Sequence, residues 1–229
     1  MIYAAPIYFA AQNGHKEIVD ILLAHGANVN TPNNAGNISL FPASERGYND
    51  VVKVLIEKGG NVNKQNNDGN TALIFAAHKG QITTVSSLLR HGALANCTNT
   101  WGNTPLIFAA QNGHIDVVAH LIECGANVNA QNGDLKTAIM IAAERGKKEC
   151  VELLLQKGAD ASITDRNGQT ASAHAATRNW QDIVELLEKH FPSAAAPDVA
   201  MREAEEGTPP PVEEEGDATA ADSSSPGGE

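Results

Sequence analysis

The chain has few aromatic residues, 4% of its 229 residues, and only three cysteines. It contains no apolar run close to the roughly 18 residues that a transmembrane helix needs, so we expect no membrane insertion. No basic segment precedes an apolar one at the N-terminus, which argues against a secretory signal. The low aromatic content is typical of a protein packed mainly by alanine, leucine, isoleucine and valine.

The three cysteines are odd in number and show no CxxC spacing. This arrangement argues against a disulfide framework or a zinc site, and it favours a reducing compartment. We expect Cys97, Cys124 and Cys150 to be ordinary thiols that are buried or half-buried. Histidines and cysteines do not cluster at metal-ligand spacing, and no nucleotide-binding or nucleophile motif occurs. The sequence therefore predicts no enzyme, no metal and no cofactor, and a location in the cytoplasm or also the nucleus.

The net charge of −11 is concentrated at the C-terminus. From Pro192 onward there are ten acidic residues against Arg202 alone, which leaves −2 for the rest of the chain. Residues 192–229 are rich in Ala, Pro, Glu and Ser, and we expect them to form a disordered acidic tail. Because the body has no basic stripe and the tail is acidic, nucleic-acid binding is disfavoured.

Glycines recur along the chain at a fixed step of 33 residues, in two sets twelve residues apart. A period of this size is typical of stacked supersecondary units, none of which can bury its apolar face alone. The two sets are Gly14, Gly47, Gly80, Gly113 and Gly146, then Gly26, Gly59, Gly92, Gly125 and Gly158.

The unit around Gly113 shows how each repeat folds. Thr104 is placed to cap a helix whose first turn holds Pro105, and Gly113 can end that helix in the left-handed conformation. Apolar residues at helical spacing over residues 115–122 predict a second helix, which Gly125 ends. The Asn-rich segment beyond is turn chemistry. Each unit therefore reads as helix, tight turn, helix and extended hairpin.

This pattern resembles the ankyrin repeat, with its T-P-L-H-x-A-A, G-H and G-A-x-x-N strings. The matching residues in this unit are Thr104-Pro105-Leu106, Ala109-Ala110, Gly113-His114 and Gly125-Ala126-Asn127. The resemblance spans Ala5 to His190 and implies an all-α solenoid of helix-turn-helix units with β-hairpin fingers. It divides residues 1–191 into six units, the first and last atypical: about 1–30, 31–63, 64–96, 97–129, 130–162 and 163–191.

Some positions depart from the family pattern. The family histidine after T-P-L is absent, so an apolar contact is expected in place of its hydrogen bond to threonine. In unit five Leu135 follows Gly133-Asp134 where the hairpin glycine belongs, and we expect a finger of different shape. Asn179-Trp180 replaces Gly-His in unit six, which reads as a terminal cap with Trp180 as a packing residue. The residues at the histidine position are Tyr8, Phe41, Ile74, Ile107, Met140 and Ala173.

Trp101 lies near the tip of the finger that opens unit four. A tryptophan on a protruding turn can anchor a partner, since such hot spots often supply about 2 kcal/mol. The alternative is that its ring folds against the adjacent finger. The sequence leaves both readings open.

The resemblance implies a surface for protein partners. Ankyrin partners usually touch the finger tips and the concave face made by the first helices of each unit. Polar residues at these positions vary from unit to unit, whereas the apolar pairs hardly vary. The predicted tip residues are Asn67, Asp68, Asn70, Thr100, Trp101, Asn103, Asp134 and Lys136, and the predicted concave residues are His78, Lys79, Gln111, Asn112, Glu144 and Arg145.

The sequence therefore predicts a non-catalytic protein-interaction module, an adaptor, scaffold or targeting subunit that acts as a monomer. One alternative is a regulatory or inhibitory subunit of an enzyme, with the acidic tail masking a basic cleft. Another is the ankyrin part of a larger catalytic or channel protein, because Met1 lies only a few residues before the first helix. The resemblance also implies possible asparagine hydroxylation at Asn30, Asn63 and Asn129.

Overall fold

The computed structural model describes residues 5–190, and twelve α-helices occur within them. They form six consecutive pairs, which confirms the predicted all-α ankyrin-type solenoid. No helix of the described part is long and apolar enough to cross a bilayer. The predicted disordered tail, residues 192–229, lies outside the described residues. The helices are α1 (Pro6–Gln12), α2 (Lys16–Ala24), α3 (Leu40–Arg46), α4 (Asn49–Glu57), α5 (Ala72–His78), α6 (Ile82–Arg90), α7 (Pro105–Asn112), α8 (Ile115–Glu123), α9 (Ala138–Glu144), α10 (Lys148–Gln156), α11 (Ala171–Thr177) and α12 (Gln181–His190).

Threonine side chains begin several first helices as predicted. The hydroxyl of Thr104 accepts a hydrogen bond from the Ile107 amide at 3.2 Å, and Pro105 follows it in the first turn. Thr71 and Thr170 cap α5 and α11 in the same way. These bonds satisfy one of the amides that a helix start leaves free.

The turn between the two helices of a unit depends on glycine and on the residue after it. Gly113 adopts φ 79°, in the left-handed region that favours glycine, and ends α7. The next residue, His114, lies over Gly80 of the preceding unit, so closely that a Cβ at position 80 would be 2.5 Å from its Nδ1. Its Nε2 lies 3.0 Å from the carbonyl oxygen of His78. The Gly-His pair thus joins neighbouring units.

The helices form two layers. The first-helix layer contains α1, α3, α5, α7, α9 and α11 side by side, and the second-helix layer contains the other six. Alanines such as Ala76 and Ala77 are fully buried in the first layer, because a small side chain lets neighbouring helices approach closely. Each second helix contributes a buried aliphatic residue, worth about 2 kcal/mol when fully buried. These residues are Val19, Leu55, Leu88, Leu121, Leu154 and Leu187.

The fingers between units are closed turns, and no strand occurs within residues 5–190. In the third finger the Asn66 amide donates to the carbonyl of Asn70 at 3.0 Å. Neighbouring tips are linked by single backbone bonds, from the Thr100 amide to Asp68 and from the Gly133 amide to Trp101. A single backbone bond between two neighbouring tips is not enough to form a β-ladder. The expected hairpins are therefore closed turns without strands.

The cysteines differ in exposure. Cys150 is buried and Cys97 half-buried, as predicted, but Cys124 is exposed. Cys124 directly follows α8, at a position where the other units place a solvent-facing residue such as His25 or His91. Burial raises the pKa of the Cys150 thiol to about 11 and also raises the pKa of Cys97. The prediction that all three are buried or half-buried is therefore wrong for Cys124.

Candidate partner-binding surface

Asparagines form a ladder along the fingers. The side-chain oxygen of Asn99 accepts the amides of Trp101 at 3.1 Å and Asn103 at 3.0 Å. Its Nδ2 donates to the side-chain oxygen of Asn70 in the preceding finger at 3.1 Å. Asn66 and Asn132 repeat this arrangement, so we name Asn66, Asn99 and Asn132 the finger ladder. Two predicted site residues, Asn70 and Asn103, are thereby held within the stack, as acceptors for this ladder.

A second set of asparagines joins the units between the end of each second helix and the following finger. Asn63 donates to the carbonyl of Gly92 at 2.9 Å and accepts the Leu94 amide at 3.0 Å. Asn30 makes the equivalent pair of bonds, and Asn129 accepts the Asp160 amide at 2.9 Å. The three asparagines that resemble hydroxylation sites are therefore linked to the following unit.

Trp101 extends from a fixed backbone into solvent. Its amide is bonded to the Asn99 side chain, its carbonyl oxygen accepts the Gly133 amide at 2.9 Å, and the residue is 58% exposed. Of the two readings that the sequence left open, the exposed ring is the one observed. An aromatic side chain on an anchored turn loses little conformational freedom on binding, which favours a role as an anchor.

Leu135 is an exposed apolar residue of the next tip, at the position that Gly102 takes in the finger of Trp101. The fifth finger was expected to differ in shape, but the Asn132 amide donates to the Lys136 carbonyl at 3.0 Å, as in the other fingers. Leu135 therefore adopts φ 61°, where Gly102 of the preceding finger adopts 75°. The left-handed region costs an L-residue about 1–2 kcal/mol. The chain thus keeps a strained leucine, 45% exposed, in the finger that follows Trp101.

The acidic tip residues have different environments. Asp134 lies 3.8 Å from Arg166 Nη1, and Nη2 of the same guanidinium donates to the Gly133 carbonyl. Asp68 has no ion pair among residues 5–190, and Thr100 contacts only its carbonyl oxygen, at 3.0 Å. Both aspartates are exposed, as is Asn67. The third tip therefore presents a carboxylate, that of Asp68, with no ion-pair partner among residues 5–190.

The first-helix layer carries a shallow aromatic groove beside these tips. Phe75 and Phe108 are half-buried, and the His78 ring meets Phe108 edge-on with 5.6 Å between centroids. Burial lowers the pKa of His78, and the charge of Lys79 adds to this. Lys79 also lies 3.5 Å from Glu45, across the junction between units two and three.

Sequence reasoning missed Phe75 and Phe108, because they lie within apolar strings that read as core. Their spacing carried a usable signal, since Phe75 and His78 are three residues apart and share a helix face away from the buried alanines. The other predicted residues of this layer lie beside them. Asn112 donates to the Phe108 carbonyl at 2.9 Å, Gln111 is half-buried, and Arg145 is exposed.

A cluster of charges joins units five and six, and we name it the charged junction: Lys136, Glu144, Asp165, His174 and Arg178. Glu144 accepts a 2.7 Å bond from Lys136 and a 3.3 Å bond from Arg178. His174 Nε2 lies 3.0 Å from Asp165 Oδ2, with both side chains buried. Two predicted site residues, Lys136 and Glu144, are thus brought together as an ion pair.

The charged junction shifts two carboxyl groups toward the ionised form. The hydrogen bond from the Gln169 amide, with those from Asn167 and His174, holds the pKa of Asp165 below its usual value. Partial burial would raise the pKa of Glu144, but the bonds and charges of Lys136 and Arg178 lower it below the usual value. Sequence reasoning missed Asp165 and His174, which looked like an ordinary turn residue and an ordinary helix residue.

Stacked helix pairs with projecting turns define a helical repeat protein. The family model described as ankyrin repeats (3 copies) matches residues 3–66, 40–132 and 130–198, and the chain belongs to the ankyrin repeat family. The comparison with curated proteins gave no match. Ankyrin repeats are generally protein–protein interaction modules and are typically non-catalytic.

Proposed function

We propose that this chain is a non-catalytic adaptor or targeting protein that binds one protein partner. The contact surface comprises the tips of the third to fifth fingers and the adjoining groove of the first-helix layer. The observation that carries this proposal is the exposed ring of Trp101 on an anchored turn. The backbone of that turn bonds to the preceding finger through the Thr100 amide and to the next finger through the Trp101 carbonyl. Interface hot spots are enriched in tryptophan, and anchors work best when little must be ordered on binding.

The distribution of variation supports the same surface. Positions that hold the stack repeat with little change, such as the buried Ala76-Ala77 and Ala109-Ala110 pairs. Register-equivalent tip residues change from Asp68 to Trp101 to Asp134, which no packing requirement explains because all three are exposed. A surface that varies over a constant frame is suited to recognise one particular partner.

Within this proposal the chain acts as a monomer in the cytoplasm or nucleus. Its three free thiols support a reducing compartment, since exposed and half-buried cysteines would oxidise readily elsewhere.

The test is quantitative capture with a matched pair of double variants of the full chain. Lys79→Ala with Trp101→Ala removes a cation and the anchor from the proposed surface. Lys58→Ala with Leu94→Ala removes an exposed cation and an exposed apolar side chain from the second-helix side. We expect the first pair to weaken partner binding about thirtyfold, from a hot spot of about 2 kcal/mol, and the second to leave it unchanged.

If every captured partner survives the first pair undiminished, the proposed surface is wrong. Deletion of residues 192–229 separates the adaptor from the regulatory alternative. The adaptor proposal predicts unchanged affinity, whereas a lost enzyme-regulating effect with intact capture would favour a regulatory subunit.

A further inference from the structure

One pair of tips in this chain already holds a guanidinium group. Arg166, at the start of the sixth finger, donates through Nη2 to the carbonyl of Gly133 and lies 3.8 Å from the Asp134 carboxylate. Gly133 and Asp134 are neighbours at the tip of the fifth finger. A carbonyl oxygen followed by an aspartate is therefore a receptor for arginine in this fold.

The same receptor recurs two repeats away along the stack, without its arginine. Asn67 and Asp68 of the third finger are equivalent by register to Gly133 and Asp134. The position equivalent to Arg166 is Thr100, whose hydroxyl donates to the Asp68 carbonyl and not to that of Asn67. Within residues 5–190 the Asn67 carbonyl accepts no hydrogen bond, and the Asp68 carboxylate has no cation.

Trp101 lies in the finger next to this unfilled receptor. It directly follows Thr100, whose amide and hydroxyl both bond to the Asp68 carbonyl at 3.0 Å, so the two tips are held together. Its exposed ring supplies a face on which a cation can stack. A guanidinium plane suits this combination better than an ammonium, because its fork reaches two acceptors while its face contacts an aromatic ring.

We propose that the third and fourth finger tips bind an arginine side chain of the protein partner. Its guanidinium bonds to the Asp68 carboxylate and the Asn67 carbonyl, and it stacks on Trp101. This inference rests on the proposed function and names the chemistry of that same surface. The partner then presents an arginine on an exposed loop or extended segment.

The first experiment titrates the isotope-labelled full chain with arginine amide and follows the tryptophan indole NMR signals. The chain has only two tryptophans, so Trp180 of unit six is an internal reference. We expect the Trp101 signal to shift with saturation and the Trp180 signal to stay. Citrulline amide, which has the same shape without the charge, is expected to cause no shift, and lysine amide is expected to bind more weakly than arginine amide.

Two matched variants locate the contact. Asp68→Asn is expected to weaken arginine amide binding at least about threefold, the size of an exposed ion-pair contribution. Asp116→Asn, which changes an exposed carboxylate on α8 of the second-helix layer, is expected to leave it unchanged. An unmoved Trp101 signal, equal shifts with citrulline or lysine amide, or unchanged binding to the Asp68→Asn variant would each overturn the proposal.

The second experiment separates this inference from the proposed function. A displayed peptide library is selected against the full chain, and binders lost with Trp101→Ala are retained. We expect arginine to be enriched in these peptides and their binding to fall with Asp68→Asn. Peptides that need Trp101 but lack arginine would overturn the arginine proposal and leave the binding surface standing.

Discussion

The junction between units five and six differs from the junctions before it, although the backbone turns are alike. In the earlier fingers Asn66, Asn99 and Asn132 accept two backbone amides and donate to the preceding finger. Asp165 takes the equivalent position, and it accepts the amides of Asn167 at 2.8 Å and Gln169 at 2.9 Å. It cannot donate, since an ionised carboxylate has only acceptors.

The difference separates what the finger needs from what the stack needs. An acceptor oxygen at this position is present in every such turn, so the finger shape depends on it. The link to the preceding unit can vary, because in the charged junction Glu144 of unit five takes over from the amide ladder. It accepts a bond from Arg178 at 3.3 Å and lies 3.9 Å from His174, both of unit six. Fingers of one shape can therefore carry different side chains at their tips.

The largest expected effect breaks the charged junction. Asp165→Ala removes three hydrogen bonds to a carboxylate, one of them with the buried His174, so we expect a loss of about 3 kcal/mol. Because repeats contact only their neighbours, α11 and α12 should unfold first. Urea unfolding followed by Trp180 fluorescence in unit six would then precede the loss of helical circular dichroism.

The matched comparison is an alanine substitution at the equivalent position of a junction that is held by asparagine side chains. Asn99→Ala also removes three hydrogen bonds, but none of them involves a carboxylate, so we expect a smaller loss of about 1.5 kcal/mol. The urea unfolding midpoints of the two variants, each compared with wild type, show whether Asp165→Ala is the more destabilising. Equal losses would mean that the charges of the last junction add nothing beyond its hydrogen bonds.

Low pH is expected to destabilise the charged junction but not the asparagine junctions, and the effect is smaller than that of the two alanine substitutions. The pKa values of Asp165 and Glu144 are lowered in the folded chain, so their stabilisation is present above the unfolded pKa values, near pH 4, and is lost as pH falls through the folded values. Asp165→Asn, which restores the amide of the other fingers, should flatten the loss of stability below about pH 4. An acid dependence as steep as that of wild type would contradict this account.

The smallest effect concerns the strained tip. Leu135→Gly removes the strain of a left-handed leucine, which is about 1–2 kcal/mol. Glycine also loses more backbone entropy on folding, about 0.5–1 kcal/mol, so we expect a net increase in stability of about 0.5 kcal/mol. Leu135→Ala, which keeps the strain, is the control and should show no gain. A glycine variant no more stable than the alanine variant would mean that position 135 stores no strain.

Much of the fold could be predicted from the sequence, because local chemistry determines it. Thr104, Pro105 and Gly113 specify a helix start and end by capping and left-handed φ, and the 33-residue step repeats them. The layers follow from alanine and leucine positions at helical spacing. The role of a capping hydroxyl can be predicted without knowing its tertiary contacts, because the hydroxyl bonds to an amide of its own helix.

The site was less predictable because it depends on tertiary contacts, both within and between units. Lys136 and Glu144 looked like two free polar residues, and only the fold shows that they pair. Trp101 could equally have packed on the next finger, a balance between burial and turn geometry that sequence does not resolve. Leu135 looked like a change of finger shape, but the neighbouring hydrogen bonds impose the common turn upon it.

The central claim is that the middle finger tips bind while the repeated positions hold the stack. Hydrogen exchange of the full chain, with and without its captured partner, tests this most directly. We predict that the partner slows exchange in peptides covering residues 66–70, 99–103 and 132–136 and leaves the second-helix layer unchanged. Slowed exchange confined to the second-helix layer, with the finger tips unaffected, would contradict the account.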